Sequence, residues 1–224
     1  MKLLILVISN NYYPYNEFKK AWKSIKKPDW VDMYFVETRN NNNTLIEIED
    51  ETIYVNGTDS LRPGIWKKQL FAMKWLLNKN YDFLLRSNLS TVYNFDLLKS
   101  YLLEKPRTRV ICGNILYIPD NCESFTTSVY EFSRKTVFGC SYIMSRDVVE
   151  YLVEWDSCEI EYMVPDDHVI SYLIDDMQLD IHELPIGRET DNLDNNIVLR
   201  IRTDDRTKDI DRFRELVESW NRLI

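Results

Sequence analysis

Apolar and polar positions alternate along the chain between strand-like runs and helix-like periods. The run from Lys2 to Ile8 is apolar, and turn-forming Asn and Pro residues follow it, which is typical of a buried parallel strand. The clearest helix of the first half is predicted for residues 64–78. Four of its apolar residues fall at i, i+4, i+7 and i+11 on one face: Trp66, Leu70, Met73 and Leu77.

The same patterns predict an alternation of strands and helices over the rest of the chain. Strands are predicted at residues 30–37, 44–55 (in short pieces), 81–86, 109–117, 138–144 and 179–184. Helices are predicted at residues 18–26, 95–103, 145–155 and 210–224, with another that Asp166 or Asp167 would cap. No linker or repeat interrupts this order. The alternation predicts one α/β domain with a mostly parallel central sheet flanked by helices.

Composition and charge exclude several function classes. The formal net charge of −8 argues against a nucleic-acid partner, because phosphate backbones are bound by clustered basic faces. No apolar run approaches the roughly 18 to 20 residues that a membrane-spanning helix needs. Four widely spaced cysteines and two histidines argue against a zinc site and favour free thiols in a reducing compartment. We therefore expect a soluble, cytoplasmic protein without a membrane span.

Glycine-based nucleotide motifs are absent from the sequence. The chain has five glycines and no GxGxxG, GxxxxGK[ST] or GxSxG string, so Rossmann dehydrogenases, P-loop enzymes and α/β-hydrolases have no motif support. Two histidines also leave little room for a Ser-His-Asp or Cys-His site. What remains is a chemistry built on carboxylates, amides and arginines.

The first candidate site follows the predicted strand at residues 81–86, in the string YDFLLRSNLSTVYN. A strand that ends in a polar turn places side chains at the carboxyl edge of the sheet, where open α/β folds bind ligands. Arg86, Asn88 and Ser90 are the candidate binding residues here. An ordinary strand-to-helix turn rich in capping residues is the alternative interpretation.

This string resembles the GT-A glycosyltransferases, in particular the fringe and β1,3-galactosyltransferase-like group and the glycosyltransferase-like proteins of large DNA viruses and some bacteria. The first group carries an acidic DxD-type triplet after a strand, and Asn88 and Ser90 fall where its acidic residues stand. A DxD motif holds a divalent cation, Mn²⁺ or Mg²⁺, through carboxylate oxygens. Asn and Ser are weaker ligands. Either Asp82 and a distant carboxylate replace the motif, or the reaction is independent of a metal, which we favour.

The second candidate site joins the string FGCSYIMSRDVVEYL, from residue 138, to VPDDH, from residue 164. The GT-A group shows a Gly-x-x-Tyr-x-[Leu/Met]-Ser-Arg element and then an acidic pair at the start of the next helix. Both elements occur here in that order. The resemblance implies Asp167 as the general base for the acceptor hydroxyl, with Asp166 as the alternative or as the cap that orients it. The alternative interpretation makes both residues helix caps.

The third candidate site is the string NIVLRIRTDDRTK, from residue 196. Arg200 and Arg202 alternate along a strand-like run, so both point to one face. Without a metal, arginine forks suit the oxygens of a leaving diphosphate. A solvated edge strand balanced by Asp204 and Asp205 is the alternative. The resemblance also places Tyr12, Tyr13 and Tyr15, just after the first strand, to stack on a nucleotide base, with ordinary core or surface tyrosines as the alternative.

The resemblance implies one GT-A-like (Rossmann-like) domain over residues 1–224, with a donor-binding half at about 1–105 and an acceptor half at about 106–224. The implied reaction is inverting transfer of a hexosyl group from a nucleotide sugar, a UDP-sugar by family habit, to a hydroxyl of a glycan or protein. For a viral protein the location would be the host cytoplasm and the role glycan biosynthesis. Two alternatives stay open: a catalytically inactive GT-A-like module that binds a nucleotide sugar or another partner, and a nucleotidyltransferase on a similar sheet.

Overall fold

Strands and helices alternate along the residues that the computed structural model describes, which are 1–40, 45–60, 64–117, 135–155 and 166–223. The strands are β1 (Leu3–Ile8), β2 (Val31–Arg39), β3 (Ile46–Glu49), β4 (Thr52–Asn56), β5 (Phe83–Asn88), β6 (Thr91–Tyr93), β7 (Val110–Tyr117), β8 (Lys135–Ser145), β9 (Asp180–Glu183), β10 (Ile186–Arg188) and β11 (Val198–Arg200). The α-helices are α1 (Tyr15–Lys23), α2 (Gly64–Leu76), α3 (Phe95–Leu103), α4 (Arg146–Glu154), α5 (Asp166–Asp176) and α6 (Arg206–Leu223). None of these helices combines the length and apolarity needed to cross a bilayer.

Eight of the strands form the central sheet, in the order β3-β4-β2-β1-β5-β8-β7-β9. Four of its seven strand pairs are parallel, and β8 runs antiparallel to both of its neighbours. The chain places β2, β4 and β3 on one side of β1, with β3 at the edge, and then crosses back to place β5 on the other side of β1. Such a reversal of strand order creates a crevice at the carboxyl ends of the two central strands, β1 and β5.

Helices cover both faces of this sheet, and each face has its own core. The odd-numbered residues of β1 pack with residues of α1, α3 and α6, and the even-numbered ones pack with residues of α2, α4 and α5. Burial on both faces explains why β1 is a continuous apolar run rather than an alternating one. The predicted fold class, a mixed α/β domain with helices on both sides of a mostly parallel sheet, is confirmed.

A second, three-stranded sheet has the order β10-β11-β6 and lies next to the carboxyl end of β5. Its strand β11 pairs antiparallel with β6, so that Arg200 stands opposite Thr91. The backbone N–H of Ile201 donates to the carbonyl oxygen of Ser90 at 2.7 Å. These bonds bring the predicted arginine run of the second half to the polar turn that follows β5.

Candidate functional site

A cavity of about 530 Å³ opens at the carboxyl ends of β1 and β5. Among the described residues that line it, five are basic: Lys68, Arg86, Arg200, Arg202 and Arg206. Two are acidic, Asp59 and Asp166. The wall of the cavity is therefore positively charged, although the whole chain carries a net charge of −8. Such a concave, cationic surface attracts anionic ligands.

The cavity brings together six of the residues predicted from the sequence: Arg86, Asn88, Ser90, Asp166, Arg200 and Arg202. Tyr12 does not line it, and 69% of that residue is exposed. Tyr15, the first residue of α1, does line it. The side chain of Asp167 lies outside the described part of the chain, but its backbone belongs to the first turn of α5. A helix was expected here with Asp166 or Asp167 as its cap. The helix is present, but Asp166 is its first residue, so neither aspartate precedes it as a cap.

A network of hydrogen bonds surrounds the buried side chain of Arg86. Its Nη2 donates to Asp166 Oδ2 at 2.6 Å, and its Nη1 donates to Asn88 Oδ1 at 2.7 Å. Nη1 also donates to the carbonyl oxygen of Gly139, and Nε donates to Gln69 Oε1 at 3.1 Å. The guanidinium thus connects β5 with α5, β8 and α2. This set of bonds makes Arg86 an organiser of the cavity wall.

The network continues behind Arg86 through Gln69, which the sequence pattern did not indicate as a site residue, and Tyr142, the tyrosine of the Gly-x-x-Tyr element. Gln69 is fully buried, and its Nε2 donates to the hydroxyl of Tyr142 at 2.6 Å. The ring centroid of Tyr142 lies 5.7 Å from the Arg86 guanidinium carbon. One signal was available in the sequence: Gln69 is a polar residue three positions after Trp66 and four before Met73, on the predicted buried face of the helix.

A second charged network forms the wall of the cavity beside β1. The ammonium group of Lys68 donates to Asp59 Oδ1 at 2.7 Å and to the carbonyl oxygen of Ser9 at 2.8 Å. The Ser9 hydroxyl donates to Glu37 Oε1 at 3.0 Å, and Lys19 donates to the same oxygen at 2.7 Å. The buried charges on this side are therefore paired, as buried charges must be.

Three arginines line the cavity from β11 to the start of α6. The Arg200 guanidinium lies 4.7 Å from the ring centroid of Phe138. Burial raises the pKa of the Cys140 thiol, and the charge of Arg200 beside it opposes that rise. Arg206 forms an ion pair with Asp209. Within the part of the chain that the structure describes, neither Arg200 nor Arg202 is paired with a carboxylate, so their charges remain available to an anion.

The oxygen of Asn88, which the resemblance places in a DxD-type motif, is already bound by a cationic side chain. Asn88 Oδ1 accepts a hydrogen bond from Arg86, and Asp166, the carboxylate that reaches the same place, is ion-paired with that guanidinium. No group of three or more His, Cys, Asp or Glu side chains in the described ranges is arranged to hold a metal ion. A cation at this point is already present as the guanidinium of Arg86.

Comparisons with known proteins bear on the fold. No protein-family model and no curated protein matches the chain in sequence. A glycosyltransferase involved in the glycosylation of the major capsid of PBCV-1 matches with a TM-score of 0.53 and 9% identity, over 95% of this chain and 99% of that one. The galactosyltransferase LgtC, in complex with donor and acceptor sugar analogues, matches with a TM-score of 0.52 and 10% identity, over 98% of this chain and 96% of that one.

A nucleotidyltransferase is equally similar in structure. The inositol-1-phosphate CTP transferase from T. maritima matches with a TM-score of 0.54 and 11% identity, over 97% of this chain and 96% of that one. At such identities the likeness establishes the fold alone. The chain has the GT-A-like fold that these glycosyltransferases and nucleotidyltransferases share.

Proposed function

We propose that the chain is a glycosyltransferase that transfers a hexosyl group from a nucleotide sugar, a UDP-sugar, to a hydroxyl of a glycan or protein acceptor. The observation that carries the proposal is the cavity at the carboxyl ends of β1 and β5, with five basic and two acidic side chains among its described residues. Open α/β sheets bind ligands at this point of reversed strand order. A nucleoside diphosphate is an anion whose charge such a wall would neutralise.

The size of the cavity agrees with this donor class. A volume of about 530 Å³ lies within the range of roughly 300 to 1,000 Å³ that small-molecule and cofactor sites occupy. Its walls come from both parts of the chain, with Lys68 and Asn88 from residues 1–105 and Asp166 and Arg200 from residues 106–224. We assign donor binding chiefly to the first part and acceptor binding to the second, which also supplies two arginines for the donor diphosphate.

Arg200 and Arg202 are the proposed ligands of the leaving diphosphate. Both residues line the cavity, Arg200 at the end of β11 and Arg202 two residues beyond that strand rather than within it. Preorganised cations stabilise the negative charge that develops on the leaving group, and they do so more strongly in a site that excludes water. Tyr15, which lines the cavity where Tyr12 does not, is the proposed platform for the base of the nucleotide.

Asp167 is the proposed general base, and the transfer is therefore inverting. Asp166 is less suited to the role because its charge is already paired with Arg86 at 2.6 Å. A carboxylate is suited to take the proton of the acceptor hydroxyl, and the backbone of Asp167 lies in the first turn of α5. In this assignment Asp166 fixes the start of α5 and thereby places the next residue.

A binding module without turnover is the second candidate. It is favoured by the neutral residues Asn88 and Ser90 at the position where the GT-A group carries acids. Nucleotidyl transfer, the activity named for the T. maritima neighbour, is favoured less. Its usual chemistry uses metal ions held by several acids, and the described residues of the cavity include two, both ion-paired with basic side chains.

A binding and turnover experiment separates these candidates. Nucleoside diphosphate sugars would be screened by thermal shift, with manganese and with chelator, and a donor at ten times its Kd should stabilise the fold by about 1.4 kcal/mol. Release of nucleoside diphosphate then indicates glycosyl transfer, and binding without release indicates the module. Release of pyrophosphate from a nucleoside triphosphate and a sugar phosphate indicates nucleotidyl transfer. If no nucleotide or nucleotide sugar binds at millimolar concentration, both transferase activities and the nucleotide-sugar-binding module are wrong, and a module that binds another partner is left.

A further inference from the structure

We infer that the guanidinium of Arg86 is the permanent cation of this cavity, which takes the oxygen ligands that an exchangeable divalent ion would use and holds Asn88 and Asp166 in position. The inference rests on the proposed function, since it concerns the same cavity. It assigns Arg86 as a positioning residue rather than as a ligand of the donor phosphates.

The chemistry of the atoms around Arg86 carries the first step. The guanidinium donates to one carboxylate oxygen, two side-chain amide oxygens and one backbone carbonyl oxygen, from Asp166, Asn88, Gln69 and Gly139. Carboxylate, amide and carbonyl oxygens are the ligands that hard divalent cations select in proteins. In this protein such oxygens surround the guanidinium of Arg86, a cation that cannot dissociate because it belongs to a side chain.

The charge balance carries the second step. Only 2% of the Arg86 side chain and 12% of the Asp166 side chain are exposed, so the ion pair is shielded from water. A divalent ion that approached Asn88 or Asp166 would meet the positive guanidinium at close range, where like charges repel most strongly. The ion pair therefore excludes a metal from these ligands.

The support behind Arg86 carries the third step. Tyr142 accepts a hydrogen bond from Gln69 Nε2 at 2.6 Å, which directs the Gln69 oxygen toward Arg86. The three side chains come from β8, α2 and β5, and all are buried. A cation held in this way needs no rearrangement when charge develops in the cavity, which is the basis of electrostatic preorganisation.

Manganese binding, measured by electron paramagnetic resonance of the free ion, tests the inference without any substrate. The wild-type protein should bind no Mn²⁺ at the cavity up to about 1 mM, the weak end of protein sites for divalent ions. Arg86→Ala should leave the oxygens without their cation and raise the affinity for Mn²⁺ by about tenfold or more. Arg86→Lys, which keeps the positive charge, should bind no better than the wild type. Adding Asp166→Asn to Arg86→Ala should remove the gain.

Arg146→Ala is the matched control. Arg146 also pairs with a carboxylate, that of Glu150, and donates to the carbonyl oxygens of Lys79 and Leu77, but it does not line the cavity. The Arg146→Ala variant should have a lower unfolding free energy than the wild type, and its affinity for Mn²⁺ should not rise. Asn88→Asp tests the inference even if Arg86→Ala does not fold, because it adds a carboxylate while Arg86 stays in place. This variant should also bind no manganese.

Two results from the variants would overturn the inference: a folded Arg86→Ala that gains no affinity for Mn²⁺, or an Asn88→Asp that binds Mn²⁺. Two results from the wild type would do the same: Mn²⁺ binding at this cavity, or nucleotide binding that is lost when a chelator is added. A failure of the proposed function gives a different pattern. In that case no nucleotide sugar would bind to the wild type, while the manganese results would still follow Arg86.

Discussion

The ammonium group of Lys68 lies 2.7 Å from a carboxylate oxygen of Asp59, and only 2% of the Lys68 side chain is exposed. A buried ammonium group needs a paired charge, and Asp59 supplies it from the loop that precedes α2. Both residues line the cavity. A diphosphate in the cavity would offer Lys68 a second anion, so that Asp59 and the ligand compete for one ammonium group.

Asp59→Asn should therefore strengthen the binding of a nucleoside diphosphate. Removing one negative charge from the wall is expected to raise the affinity about tenfold, which corresponds to about 1.4 kcal/mol. The unfolding free energy should fall by about 1 to 3 kcal/mol, because Lys68 loses its charged partner. Calorimetric titration with UDP and urea unfolding measure the two effects. Asp50→Asn, which removes the partner of Lys23 on an exposed surface, is the control and should leave UDP affinity unchanged. Weaker UDP binding by Asp59→Asn would contradict the competition.

Arg200→Ala and Arg202→Ala should each weaken the binding of a nucleoside diphosphate by about one to two orders of magnitude. A charge-assisted hydrogen bond contributes roughly 1.5 to 3 kcal/mol. Among the described residues no carboxylate pairs with either arginine, so none competes with the diphosphate for its charge. Chelator should leave the activity of the wild type intact. Arg214→Ala, which removes a surface partner of Glu17, is the matched control. Unchanged affinity in both cavity variants, or activity that manganese restores after chelation, would refute the assignment.

The parts of the fold that the sequence predicted well are those whose signals are local. The helix predicted at residues 95–103 coincides with α3, and the structure adds its cap, the Asn94 side chain, which accepts from the N–H groups of Asp96 and Leu97. Helix α6 begins at Arg206, four residues before the predicted start. Its first turn is polar, and its beginning is fixed by the Asp205 carboxylate, which accepts from two backbone N–H groups, rather than by apolar periodicity. Strands β6 and β10 have three residues each, too few to show a period.

Candidate residues of the site could be predicted from local patterns, but the contacts between them could not. Asn88 and Ser90 stand in a polar turn at a strand end, a pattern that is visible in the sequence. Arg86 was expected to bind the donor, but its partner Asp166 lies 80 positions away, and no local pattern encodes that contact. The burial of Gln69 and Lys68 likewise depends on how α2 packs, which the periodicity of one helix does not determine.

The unfolding free energy should fall as the pH rises from about 9 to about 11, in part because of Cys112. Burial raises the pKa of this thiol from 9.0 to about 11. Its contribution is fully present below the pKa of the unfolded chain and is lost as the pH rises through the folded one, by roughly 2 to 3 kcal/mol in total. Urea unfolding of Cys112→Ala should therefore show a shallower decline than the wild type over this range. Tyr81, whose pKa burial raises to about 12, is present in both proteins and cancels in the comparison. Equal declines would show that Cys112 ionises without a folding penalty.

The two acids at the start of α5 should fail in different ways when each is replaced by asparagine. Asp166→Asn leaves the buried Arg86 without its charged partner, so the unfolding free energy should fall by about 3 kcal/mol. Asp167→Asn should leave stability and donor affinity unchanged and should lower kcat by two or more orders of magnitude, because a general base acts only in the transition state.

Both effects can be measured on the same preparations, by urea unfolding and by the release of nucleoside diphosphate. Asp176→Asn, which alters the partner of Tyr151 at the other end of α5, controls for a general effect of removing a charge from this helix. It should leave kcat within about a factor of two, well below the effect expected of a general base. An Asp166→Asn variant that keeps its stability but loses turnover, beside an active Asp167→Asn, would transfer the role of base to Asp166. That result would also mean that the carboxylate is released from Arg86 during the reaction, since a paired carboxylate is a poor proton acceptor.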